Sequence, residues 1–167
     1  ARHITLNGYY TYIATDAKLV ILNLNDPLKP VVSATVPLTD MRASALQFRY
    51  LFVTTKEGLQ TVDVTHPEKP ALVGTGTTPM ADARRVYLAR TYAYVAAGKD
   101  GLVIVDVEKP HAPKELTRYN AGGKLNDAQD VIVGTTNASL FAYVADGANG
   151  FKVLQLTSPD SQPKFYG

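Results

Sequence analysis

Aromatic residues alternate with small or β-branched residues at a period of two, which is the pattern of pleated β-strands. In the clearest stretch, Tyr92 and Tyr94 alternate with Ala93 and Val95. The segment 102–107 is apolar at nearly every position, as expected for a strand that is covered on both faces. No stretch keeps the 3.6-residue period of a helix, and Gly or Pro recurs throughout, so the pattern predicts an all-β protein.

The same strand pattern occurs four times along the chain. The four copies cover 10–30, 50–70, 92–113 and 141–163. Equivalent positions hold Leu19, Leu59, Leu102 and Phe151, which are separated by 40, 43 and 49 residues. A repeat of this length, built from four short strands, is typical of the blade of a β-propeller.

The third copy shows most clearly what one repeat builds. Its predicted strands cover 83–89, 92–96, 102–107 and 115–119. A tight hairpin at Lys99-Asp100-Gly101 joins the second strand to the third, since glycine accepts positive φ. Pro110 and Pro113 then end the sheet and force a turn into the fourth strand.

The repeats predict a single β-propeller segment over residues 1–167, with four blades of four antiparallel strands. The blades are expected at approximately 1–40, 41–80, 81–125 and 126–167, and the last outer strand at 162–166. An unclosed arc of four blades leaves faces and edges exposed. We therefore expect part of a seven- or eight-bladed ring, completed by a further segment or another chain; a closed four-blade ring is the alternative.

Residues 102–106 read LVIVD, and with the preceding YAYVAAGKD they closely resemble the LVIVD-repeat family. The other copies read LVILN at 19–23, LQTVD at 59–63 and FKVLQ at 151–155. Proteins of this family are mostly bacterial and archaeal β-propellers that are exported or surface-associated, and some accompany redox domains. The resemblance therefore implies a secreted or cell-surface location, and no particular reaction.

Composition narrows the function classes. The net charge is +2 and Arg84-Arg85 is the only adjacent basic pair, too little for a nucleic-acid interface. The absence of cysteine removes thiolate metal sites, a cysteine nucleophile and CxxCH haem attachment within this sequence. No apolar run reaches the length of a membrane span. Because the sequence begins with Ala1, we expect a mature or excised product whose export signal lies elsewhere.

Several residues could carry chemistry, but structural roles explain them better. Asp63 and Asp106 end the third strand of their repeats, where Asp usually accepts hydrogen bonds from the next turn. The recurring Tyr and Phe of the second strands are expected to pack between blades. The hairpin at 146–150 has the acidic and glycine-rich character of a calcium loop without its spacing. We therefore predict no cofactor and no catalytic residue, with calcium as the remaining alternative.

The loops that enter each first strand are the candidate binding surface, because variable loops on a rigid scaffold usually carry recognition. We expect six of their charged residues near the mouth of the central channel: Asp40, Arg42, Asp82, Arg84, Asp127 and Asp130. Ordinary solvated loops are the alternative.

The sequence favours a non-enzymatic extracellular scaffold or adaptor that binds another protein or a surface polymer through this loop face. The main alternative is the propeller domain of a larger extracellular enzyme or multihaem electron-transfer assembly, whose active groups lie outside this chain. A small-molecule or calcium-dependent lectin-like binder is a third possibility.

Overall fold

In the part of the chain that the structure describes, sixteen β-strands form four antiparallel sheets that follow one another in sequence. The computed structural model describes residues 1–135 and 139–156. Within these residues the only helical elements are two three-residue 3-10 turns, Ala121–Gly123 and Gly147–Asn149. The all-β prediction is therefore confirmed.

Each sheet is a meander in which neighbouring strands are neighbours in sequence, apart from the last strand of the second sheet, which also pairs with the third strand of that sheet. The first sheet contains β1 (His3–Asn7), β2 (Tyr10–Ala14), β3 (Lys18–Asn23) and β4 (Val31–Pro37). The second contains β5 (Ala43–Gln47), β6 (Tyr50–Thr55), β7 (Gly58–Asp63), β8 (Ala71–Leu72) and β9 (Thr78–Pro79). The third contains β10 (Arg85–Ala89), β11 (Tyr92–Ala96), β12 (Leu102–Asp106) and β13 (Lys114–Tyr119). The fourth contains β14 (Asp130–Thr135), β15 (Leu140–Ala145) and β16 (Phe151–Leu156).

The expected four strands per sheet are found in the first and third sheets. In the second, the outer strand is divided into β8 and β9, both paired with β7. Between them the chain loops out, and Thr61 Oγ1 donates a hydrogen bond to the carbonyl of Gly76 at 2.7 Å. The predicted outer strand of the fourth blade, at 162–166, lies outside the described residues.

The sheets stack face to face around the side formed by their first strands. β1 lies beside β5, β5 beside β10, and β10 beside β14. Each of the three junctions holds its own apolar cluster. This is the arrangement of propeller blades, and it buries β12 on both faces because a sheet packs on either side of it.

The aromatic residues of the second strands pack inside these junctions, as predicted. Tyr12, Phe52 and Tyr94 are all buried. Their equivalent in the fourth sheet, Tyr143, stacks on Phe151 with the ring centroids 6.0 Å apart. The aromatic positions of the first three sheets therefore hold the blades together, which leaves no exposed stacking surface there.

Candidate functional site: the channel mouth

The antiparallel order of the strands places the loops entering β1, β5, β10 and β14 at one edge of the sheets, together with the hairpins between second and third strands. Charged residues recur at this edge in a fixed pattern. Asp40, Asp82 and Asp127 each lie three residues before the start of a first strand. The residue immediately before each of these strands is Arg42 in the second sheet, Arg84 in the third and Gln129 in the fourth.

Four of the six predicted residues join in one ionic chain across three sheets. Arg42 donates a hydrogen bond from Nη1 to Asp82 Oδ1. Nε and Nη2 of Arg84 lie 2.8 and 2.7 Å from Asp82 Oδ2. Arg84 Nη1 also donates to Asp127 Oδ1 at 2.7 Å. Each arginine thus contacts the loop that enters the following blade. This ionic chain connects the second, third and fourth blades at the channel mouth.

These contacts determine the charge states of Asp82, Arg84 and Asp127 in the ionic chain. Burial raises the pKa of Asp82, but the hydrogen bonds and positive charges of Arg84 and Arg42 lower it by more, so the net pKa lies below the ordinary value. The hydrogen bond from Arg84, with one from Gln129, also lowers the pKa of Asp127. Burial lowers the pKa of Arg84, while its two aspartate partners raise it overall. All these groups are therefore charged at neutral pH.

Asp40 and Asp130 lie at the same edge but outside the ionic chain. Asp40 faces Lys56, with 3.4 Å between the carboxylate oxygen and Nζ, and its backbone has a φ of 55°. Asp130 Oδ1 accepts a hydrogen bond from the backbone N–H of Val131 at 2.8 Å. The structure therefore places all six predicted residues at one edge and links four of them directly.

A cavity of about 740 Å³ opens beside the ionic chain. Its lining consists of Arg2, Arg42, Asp82, Arg84, Arg85, Gln129 and Asp130. Arg2 pairs with Asp16, whereas Arg85 has no ion-pair partner among residues 1–135 and 139–156. The lining thus carries more positive than negative side chains, and one guanidinium remains available to a ligand.

The sequence prediction omitted Arg2, Arg85 and Gln129. Their signal was present, since Arg2 aligns with Arg84 at the start of a repeat and Arg85 completes the only adjacent basic pair. The pattern of strand starts could have identified Arg2 and Gln129 as equivalents of Arg42 and Arg84.

The aspartates that end the third strands have the structural role predicted for them. Asp63 Oδ1 accepts hydrogen bonds from the N–H and the hydroxyl of Thr65 at 2.9 and 2.6 Å, and these hydroxyl and backbone contacts help to lower the pKa of Asp63. Asp106 Oδ1 accepts from the N–H of Glu108 at 2.9 Å. Asn23 makes the same contact to Asn25, so the amide replaces the carboxylate without loss of the turn.

The hairpin at 146–150 contacts the loop that enters the fourth sheet. Asp146 is buried, and its Oδ1 accepts a hydrogen bond from the N–H of Asp127 at 2.8 Å. Asn149 donates to the side chain of Asn126 at 2.9 Å. In the part of the chain that the structure describes, no three His, Asp or Glu side chains gather as a metal site. The described residues also contain no helix that is long and apolar enough to cross a membrane.

Solved structures with the same arrangement of sheets are β-propellers. The computationally designed protein Ika4 gives a TM-score of 0.66 at 9% identity, with 93% of this chain and 91% of Ika4 covered. The designed protein Ika8 gives the same score and identity, but only 45% of its chain is covered. A chain from an S. cerevisiae assembly of Dbp5 with Nup159, Gle1, IP6 and ADP gives 0.56 at 14% identity, with 93% of this chain and 40% of that chain covered.

These likenesses establish the propeller fold. They also show that this chain spans less than half the length of Ika8 and of the yeast chain. No curated protein matches it by sequence. The LVIVD repeat model matches four stretches, 1–36, 46–78, 81–121 and 127–167, which together cover most of the sequence. The chain therefore belongs to the LVIVD-repeat family.

Proposed function

We propose that this chain is a non-enzymatic, secreted or cell-surface propeller scaffold that binds an acidic segment of another protein, or an anionic surface polymer, at the channel mouth. The observation that carries the proposal is the cavity beside the ionic chain, in which Arg85 is left without an anionic partner among the described residues. A guanidinium binds carboxylate or phosphate through paired N–H groups, which suits recognition of such a partner.

The fixed ionic chain supports binding at a preformed surface. Arg42 and Arg84 are held by Asp82, and Arg84 also by Asp127, so the wall of the cavity is ordered before a ligand arrives. A surface that is already ordered loses less entropy on binding. Arg85 and Arg2 stand beside this wall and provide the charge that attracts the ligand.

The charge states at the mouth favour binding over acid-base catalysis. A general acid or base works best with a pKa near the operating pH. The arginine contacts instead hold the pKa values of Asp82 and Asp127 below their ordinary range, so neither carboxylate gains a proton near neutral pH. This supports a scaffold role.

One structural neighbour, which was solved in a protein assembly, also supports a protein partner. The yeast chain with the same fold comes from an assembly of several proteins. A rigid ring of blades presents loops from several repeats on one edge, which suits a broad contact surface.

Binding to defined anionic polymers tests the proposal. In biolayer interferometry at low salt, the protein should bind poly-L-glutamate or alginate, and added salt should weaken binding. Arg85→Glu should lower the affinity about tenfold. The control is Arg49→Glu, which changes an exposed arginine in the β5–β6 turn at the opposite edge. Failure to bind either polymer, or equal losses from both substitutions, would contradict the proposal.

Location needs its own measurement. An antibody against the chain should detect the native protein in the culture medium or on intact cells. Detection only after cell lysis would contradict the proposed location and leave the polymer-binding result intact.

A further inference from the structure

Some apolar residues of the third strands are buried in the first three sheets, but their equivalents in the fourth sheet are exposed to solvent. Leu102 of the third sheet is 1% exposed, and its equivalents Leu19 and Leu59 are equally buried because the next sheet covers them. Phe151 occupies the same position in the fourth sheet and is 66% exposed. Its neighbour Val153 is 54% exposed, whereas the equivalent Ile104 is buried. This face has the composition of a blade junction without a following blade.

The first sheet shows the opposite half of such a junction. Ile4 is 55% exposed and Leu6 is 70% exposed. The equivalents of Ile4 in the second and fourth sheets, Ser44 and Val131, are buried against the preceding sheet. On β1–β3 this face is mainly apolar, and its one charged side chain is Lys18 at the start of β3; the uncharged residues are Ile4, Leu6, Thr11, Ile13, Val20 and Leu22.

The two terminal faces do not cover each other within one chain. The apolar clusters join the first sheet to the second, the second to the third and the third to the fourth. In residues 1–135 and 139–156, no apolar cluster joins the fourth sheet to the first. The exposure of Leu6 and Phe151 follows directly from this open junction.

We propose that a second copy of this chain covers both terminal faces, so that two copies form one closed eight-bladed ring. Every internal junction joins the same face of one sheet to the opposite face of the next. The fourth sheet of one copy can therefore meet the first sheet of the other through the contact that the chain already uses three times. Under a twofold axis the second junction is identical, so no terminal face remains exposed.

Longer propeller chains contain this arrangement of sheets as one part. The four sheets match 91% of Ika4, but 45% of Ika8 and 40% of the yeast chain. The same arrangement of sheets thus occurs as less than half of longer propeller chains. The proposal does not depend on the ligand at the channel mouth, because Ile4, Leu6, Phe151 and Val153 do not line that cavity.

The first internal junction supplies the geometry for a crosslinking test. There, Thr5 Oγ1 and Ser44 Oγ lie 2.8 Å apart across the two sheets. The equivalent positions at the proposed junction are Ile132 in the fourth sheet and Ile4 in the first. The chain contains no cysteine, so a pair of engineered cysteines can be read without background.

The variant Ile4→Cys/Ile132→Cys should give, on oxidation, a covalent species of twice 18.1 kDa in non-reducing electrophoresis. A mixture of the two single variants, refolded together, should give the same species, and each single variant alone should not. A disulfide formed within one 18.1 kDa chain would instead show a closed four-blade ring and overturn the proposal. A ladder of larger species would show an open assembly and overturn it as well.

Native mass spectrometry of the unmodified protein tests the same proposal without cysteines. The dimer should predominate at micromolar concentration, and Leu6→Glu or Phe151→Lys should raise its Kd at least tenfold while circular dichroism shows an unchanged fold. Leu28→Glu and Phe48→Lys are the controls, because both residues are highly exposed but lie in turns away from the terminal faces. A monomer, or a dimer that resists both test substitutions, would refute the two-copy ring.

Discussion

Arg84 in the third sheet donates a hydrogen bond from Nη1 to Oδ1 of Asp127, in the loop that enters the fourth sheet, at 2.7 Å. The same guanidinium holds Asp82 on its own loop at 2.7–2.8 Å. Because Arg84 is partly buried, both contacts are partly shielded from solvent. One side chain therefore fixes the relative position of two blades at the channel mouth.

Replacement of Arg84 by methionine should lower the melting temperature by several degrees at pH 7. The arginine keeps the pKa values of Asp82 and Asp127 below their ordinary range. Carboxylates of this kind stabilise the fold above about pH 4 and lose that effect as the pH falls through their folded-state pKa values. The difference between Arg84→Met and the unmodified protein should therefore be largest at neutral pH and shrink in acid.

Thermal melts at a series of pH values measure this difference. Arg90→Met serves as the control, since Arg90 is exposed and lies in the β10–β11 turn at the other edge of the sheets. A difference that stays constant down to pH 3 would mean that Arg84 stabilises the fold through packing alone.

Much of the fold follows from the sequence because strand alternation and turn residues are local properties. The predicted third strand at 102–107 is found at Leu102–Asp106, and the aromatic positions pack between sheets. The division of the outer strand of the second sheet into β8 and β9 was not predicted. It depends on the loop between β8 and β9, where the hydroxyl of Thr61 donates a hydrogen bond to the carbonyl of Gly76. This is a tertiary contact with no signal in the local sequence.

The candidate site was only partly predictable for a similar reason. Charges at the starts of first strands identify the edge, but the pairing of Arg84 with Asp127 depends on the spacing between blades. Asp40 shares the sequence position of Asp82 and instead faces Lys56. Likewise, Phe151 resembles Leu102 in sequence, and its exposure depends on whether another sheet lies against it. Such differences arise from neighbours in space.

Gly101→Ala should destabilise the protein far more than Gly122→Ala. Both glycines have positive φ, 73° and 63°. A Cβ on Gly101 would lie 2.2 Å from the carbonyl oxygen of Tyr119, whereas Gly122 has no atom within 4 Å of the added Cβ. Chemical denaturation should show a loss of about 1 kcal/mol for Gly122→Ala, from backbone strain alone. The loss for Gly101→Ala should reach about 3 kcal/mol; equal losses would show that the backbone moves away from the clash.

Leu102→Ala should lower the free energy of unfolding by about 3 kcal/mol, because it leaves a cavity in the junction between the third and fourth sheets. Leu28→Ala removes an equally large side chain from an exposed turn and should change the value by less than about 0.5 kcal/mol. Urea denaturation at one protein concentration measures both. A small effect at Leu102 would contradict the tight packing of this junction.

Stability should also decrease between pH 7.5 and pH 5.5 because of His3. Burial lowers the pKa of His3, Arg85 lowers it further, and Asp130 opposes both. The ring accepts a hydrogen bond at Nδ1 from the N–H of Ser44 at 3.3 Å, which requires that nitrogen to be unprotonated. The unfolded chain therefore binds the proton more tightly than the folded one. Folding becomes less favourable as the pH falls through about 6.5 towards the folded-state pKa.

His3→Gln should reduce this pH dependence, since glutamine keeps an acceptor for Ser44 but does not titrate in this range. Urea denaturation at pH 7.5, 6.5 and 5.5 measures the free energy of unfolding for the variant and the unmodified protein. His66→Gln is the control, because His66 is exposed in the turn after β7. The effect should be small, since the half-exposed ring is partly screened by solvent. If His3→Gln kept the full pH dependence, another group would be responsible, and the hydrogen bond from Ser44 would not control the protonation of His3.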